Sequence, residues 1–151
     1  MGIGTLSAHR SGGANAQVER VRRWHHRFLS ACADGTRTPA DRLDFFLAFA
    51  QNCYSLRDWL DRDARASKPA LDDLMSRTPA LQICRDVANG SKHLVISKPS
   101  IDAAFSIGRE YTGRDQPERW FLVAGTHFLD AVEFTNECVR VWEEFLAAAP
   151  P

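Results

Sequence analysis

The sequence predicts a mainly α-helical single domain: a helical bundle with a small β-hairpin between its fourth helix and its C-terminal helix. Three observations carry this reading. Apolar residues recur at three- and four-residue spacing through most of the chain, as they do in helices that bury one face. The pairs Thr38-Pro39 and Thr78-Pro79 each set a capping side chain directly before a residue suited to the first helical turn. After His93 the pattern changes to β-branched and alternating residues broken by a turn cluster.

Residues 1–15 show neither an apolar signal-like run nor an amphipathic pattern and read as a flexible leader; residues 16–149 read as one helical domain. The first helix is expected from Gln17 to Ala33. Val18, Val21, Trp24, His25, Phe28, Leu29 and Cys32 share one side, and Asp34-Gly35 ends it. A long second helix starts at Pro39, with Asp41 at its positive end and a core series of Phe45 or Phe46, Phe49, Cys53, Leu56 and Leu60. A short helix follows Lys68-Pro69. The fourth covers "PALQICRDVANGSKH". The runs "LVIS", "AAFSIGREYT" and "RWFLVAG", with "GRDQPE" as a turn, give the hairpin, and the last helix is expected from Phe128 to Ala147.

The totals exclude several classes. With 44% hydrophobic and 25% charged residues the chain is globular, and its formal net charge of zero argues against coating nucleic acid by bulk charge. Arg strongly outnumbers Lys, which suits planar contact with phosphate or carboxylate. Cys32, Cys53, Cys84 and Cys138 are scattered without a CxxC pair, so they read as small buried hydrophobes in a reducing cytoplasm, with no metal or cofactor expected. No run is long enough to span a bilayer. A phosphate-cradling Gly-rich loop, HExxH, GxSxG and a Rossmann fingerprint are all absent.

The candidate site lies in the fourth helix. On a helical wheel Leu81, Ile83, Cys84, Val87 and Ala88 collect on one side. Gln82, Arg85, Asp86, Asn89, Lys92 and His93 collect on the other. Arg85, Asn89 and His93 are spaced four and four, so a cation, an amide and an imidazole form one strip, a set able to grip a phosphate and move a proton. Gly90 bears on this, because Asn-Gly often marks a helix end. The competing reading is a solvated helix face whose Lys92 and His93 complement the helix dipole. In the first helix, Arg22, Arg23 and Arg27 with His26 make a basic face that could contact a phosphate backbone, while His25 reads as a partly buried, satisfied histidine. Arg57 and Asp58 in "SLRDWL" are candidates for surface pairs with Asp61 and Arg62, or for reaching the Arg85 strip from the neighbouring helix.

The Asn-x-x-x-His spacing of Asn89 and His93, late in a small helical domain, resembles the HEPN superfamily. These are mainly bacterial and archaeal all-α domains; many are metal-independent endoribonucleases of toxin–antitoxin and phage-defence systems, and others are non-catalytic. Active members carry an Arg just before the polar residue. Here Ala88 holds that position, and the nearest Arg is Arg85, one turn earlier. The stretches "FFLAFAQNCYSLRDWL", "LQICRDVANGSKHLVISKP" and "FLDAVEFTNECVRVWEEFL" also resemble a group of uncharacterised bacterial proteins with a DxxNxxKH signature, matched by Asp86, Asn89, Lys92 and His93. The resemblance implies a cytoplasmic homodimer, away from membranes, that binds RNA or a partner protein as a non-catalytic or accessory module. The alternative it implies is an endoribonuclease in which His93 moves the proton, Arg85 and Lys92 stabilise the phosphorane, and Asn89 orients His93 or the phosphate.

Overall fold

A computed structural model describes residues 12–92, 99–101, 105–110 and 119–148. Five helices and one small antiparallel sheet appear in the order α1 (Gly13–Ala33), α2 (Pro39–Arg62), α3 (Lys68–Arg77), α4 (Pro79–Lys92), β1 (Ser106–Glu110), β2 (Arg119–Ala124), β3 (His127–Asp130) and α5 (Ala131–Ala148). The mainly helical class, with its sheet between α4 and the last helix, is as the periodicity predicts. The run "LVIS", the turn cluster and most of the leader lie outside the described residues.

α1 and α2 form an antiparallel pair. The start of α1 meets the end of α2, where Ala14 N donates to Asp63 Oδ2 (2.5 Å), and buried Gln17 donates to Asn52 O (2.9 Å) midway along. These contacts carry α1 back to Gly13, a turn earlier than the Gln17 start expected, and they bury Ala14. Along the shared face Phe28, Phe46, Phe49, Leu56 and Leu60 are essentially inaccessible to water. The rings of Phe28, Phe46 and Phe134 follow one another at 5.4 and 6.0 Å, joining α1, α2 and α5.

Thr38 caps α2 as the Thr-Pro pair predicts, its Oγ1 accepting from Asp41 N at 3.1 Å. Thr38→Ala is expected to cost about 1 kcal/mol of stability, read as a lower urea midpoint at unchanged slope. Ser67 caps α3 in the same way. Thr78 joins α3 to α4, its N–H bonding back to Met75 O and its carbonyl accepting from Gln82 N.

The sheet has one strand more than the hairpin expected. β2 pairs with β1 through Gly108↔Phe121 and with β3 through Ala124↔His127. Residues 128–130, expected inside the last helix, are therefore extended, as part of β3. Gly125 and Thr126 form a two-residue hairpin loop with a positive φ (58°) at its first position only, the pattern of a type II′ turn. The helix begins where Asp130 Oδ1 accepts from Glu133 N (3.0 Å), so its true start signal is the Asp-x-x-Glu pair. The Leu129 and Val132 series still packs on the core, which is why helical spacing alone misplaced the boundary.

Candidate anion-binding site

α4 sets the site. Its buried stripe is Leu81, Ile83, Cys84, Val87 and Ala88, as the wheel predicts. Asp86 departs from the wheel: it is fully buried, not on the polar face. Its carboxylate accepts from Ser100 N (2.6 Å) and Ile101 N (2.5 Å), so it holds the chain that leads into β1. A carboxylate with that role is a structural acceptor and is not open to a ligand.

Gly90 does not end the helix, which continues to Lys92. Ser91 lies in that last turn. Its Oγ donates to Ala88 O (2.8 Å) and accepts from Gln51 Nε2 on α2 (2.7 Å). Tertiary anchoring thus offsets the roughly 1 kcal/mol that an interior glycine costs. Arg85 and Asn89 consequently sit one turn apart, both half-buried, with Lys92 exposed beyond them. His93 lies outside the described residues.

Arg85 faces a cleft of about 530 Å³ between α2, α3 and α4, lined also by Tyr54, Arg57, Asp72, Ser76, Gln82 and Ser100. Arg57 reaches the same cleft from α2. It pairs with Asp72 of α3, with Asp58 at 3.7 Å, and not with Asp61. Gln82 is anchored at the rim, donating to Met75 O and Ser76 O (both 2.9 Å). The Nε of Arg85 is buried and has no hydrogen-bond partner among the described residues. Two guanidinium groups therefore share one opening, one neutralised by a carboxylate and the other carrying an unused donor. A phosphate or carboxylate is the complement of that arrangement.

The basic face of α1 is more engaged than its sequence suggests. Arg22 pairs with Glu19 (2.5 Å) and reaches Glu143 of α5 (3.5 Å), Arg27 lies over the Trp24 ring at 4.5 Å, and Arg23 is exposed. His25 is half-buried, with Nε2 at 2.8 Å from Asn136 Oδ1 and its ring against Phe49. Burial holds its pKa below the ordinary histidine value.

Sequence reasoning did not reveal a larger groove of about 820 Å³ along α5, β3 and the α3–α4 junction. Its cations are already paired: Arg140 with Glu137 and Glu144, Arg77 with Asp73. Its unpartnered buried polar atom is a ring nitrogen, Nδ1 of His127, and not a guanidinium N–H as in the Arg85 cleft. Tyr54, Arg57 and Ser100 also went unassigned to the site, apart from the possible reach of Arg57. They come from segments distant in sequence, and only packing brings them to α4. No helix among the described residues is long and apolar enough to cross a membrane. In comparisons with known proteins, no family model, no curated protein and no solved structure matches this chain.

Proposed function

We propose that this chain is a HEPN-like, non-catalytic helical module that binds a phosphate-bearing ligand, RNA in the first instance, in the cleft between α2, α3 and α4. The observation that carries the reading is the buried, unpartnered Nε of Arg85 beside Arg57. A buried donor without a partner is costly, and an oxyanion satisfies it. Ala88 supports the non-catalytic form. It is wholly buried, so the position where active HEPN members carry Arg points into the core. The homodimer and the bacterial toxin–antitoxin or defence setting rest on the resemblance alone.

The test is fluorescence anisotropy with short single-stranded RNA. Arg85→Gln is expected to weaken binding about tenfold or more, the loss of a charge-assisted hydrogen bond, and to flatten the salt dependence. Unchanged affinity in Arg85→Gln and Arg57→Gln would remove the cleft from the binding surface. Light scattering at micromolar concentration checks the dimer.

The ribonuclease reading is favoured by one observation: α4 runs unbroken through Gly90, which keeps Arg85, Asn89 and Lys92 on successive turns. Incubation of mixed RNA in EDTA with wild type and His93→Ala separates the two. The module leaves RNA intact in both samples; the enzyme cleaves it only as wild type.

A further inference from the structure

Three of the four cysteines, far apart in sequence, meet in the core. The Sγ atoms of Cys53 on α2, Cys84 on α4 and Cys138 on α5 all lie within 4.8 Å of one another, and each residue is fully buried. Cys84 Sγ donates to Ala50 O (3.5 Å) and Cys138 Sγ lies 3.7 Å from Ala80 O. A second feature stands beside them. Trp142, one turn after Cys138 on α5, is buried and its indole Nε1 has no hydrogen-bond partner in the described structure.

We propose that Cys53, Cys84 and Cys138 form a buried three-thiol site for a trivalent thiophilic metalloid, arsenous acid being the form that enters. Bonds to sulfur of about 2.3 Å, at the near-right angles that the lone pair of a trivalent arsenic imposes, place sulfurs roughly 3.3–3.5 Å apart. The Sγ atoms, now within 4.8 Å of one another, close to that spacing by inward rotation of the three side chains. Charge selects the ion. Three thiolates leave a net negative charge on Zn(II) and a larger one on Cu(I), and a bare charge in a dry core is strongly disfavoured. With a trivalent centre the site is neutral. Zn(II) also calls for a fourth ligand, and no fourth Cys, His, Asp or Glu joins the cluster among the described residues.

The step balances without an oxidant. As(OH)3 exchanges its three hydroxyls for three thiols: three As–O bonds break, three As–S bonds form, and each thiol proton leaves with a hydroxyl as water. The oxidation state of arsenic is unchanged. The indole N–H of Trp142 then has a sulfur acceptor.

The experiment is native mass spectrometry of the full-length, reduced chain titrated with arsenite without oxygen, with folding followed by circular dichroism. The expected adduct is one arsenic less three protons on the folded chain. Cys32, outside the cluster, stays open to alkylation while the other three are protected. Cys32→Ser keeps the adduct, and Cys53→Ala, Cys84→Ala and Cys138→Ala each lose it. The wild-type mass is decisive even where a core variant fails to fold, whereas burial alone already shields the three core thiols from alkylation. An adduct that retains a hydroxyl, one that forms only in urea, or none at all overturns the proposal. So does tighter binding of Zn(II) or Cu(I) than of arsenite in parallel titrations.

Discussion

Replacing Asp86 with Ala is expected to lower the unfolding free energy by about 3–5 kcal/mol, a large share of the 5–15 kcal/mol typical of a domain. Two backbone N–H groups, of Ser100 and Ile101, depend on its carboxylate, and the side chain is fully buried. Truncation leaves both donors without an acceptor and opens a void between α4 and the segment that leads to β1. Asp86→Asn recovers little: one side of the amide still accepts, but its NH2 faces the other donor. Urea unfolding at pH 7 measures both variants, and a loss below about 1 kcal/mol for Asp86→Ala would show that the segment at Ser100 does not depend on α4. The effect reaches the proposed site as well. Ser100 lines the cleft beside Arg85, so Asp86 holds one wall of the anion pocket while touching no ligand.

The burial of Asp86 marks how far the sequence could be read. The apolar stripes of α1, α2 and α4 were legible because each is written in residues three and four apart, as in Phe46, Phe49, Cys53, Leu56 and Leu60. Thr38-Pro39 marked its helix start because the cap and its target amide are local. Asp86 was assigned to the polar face by its place on the helical wheel, which could not show that the amides that require it lie fourteen and fifteen positions on. The same limit hid the thiol cluster, whose members are separated by whole helices. It also hid the reach of Arg57 to Asp72. The start of α5 was misread for a different reason: "HFLD" satisfies both periods over so short a run, and the Gly125-Thr126 loop was the signal that decides for a strand. Arg85 and Asn89 were legible as one strip, but the cleft that gives Arg85 a purpose required α2 and α3 to be in place.

Arg42→Met is expected to cost about 2–4 kcal/mol, because it removes buried charge-assisted hydrogen bonds while keeping most of the aliphatic stem. The sequence gives little reason to expect this. Arg42 sits near the N-terminus of α2, the end of the helix dipole that disfavours a cation. The reason lies in α1, whose last turn has no basic residue of its own. The guanidinium of Arg42 supplies what is missing: Nε donates to Ala31 O and Nη2 to Asp34 O, both at 2.9 Å, and the residue is only 6% exposed. One cation thus serves the carbonyl end of the neighbouring helix and fixes the turn between α1 and α2. Arg37 is the control. It is half-exposed, with Asp34 and Asp41 at 3.9 and 3.8 Å, and pairs of that kind contribute about 0–1 kcal/mol. Thermal unfolding should separate the two, with Arg42→Met lowering Tm by roughly 5–15 °C and Arg37→Met by a few degrees at most. Equal shifts would mean that the α1 carbonyls find water as readily as they find Arg42. In that case the α1–α2 turn is held by its apolar contacts alone.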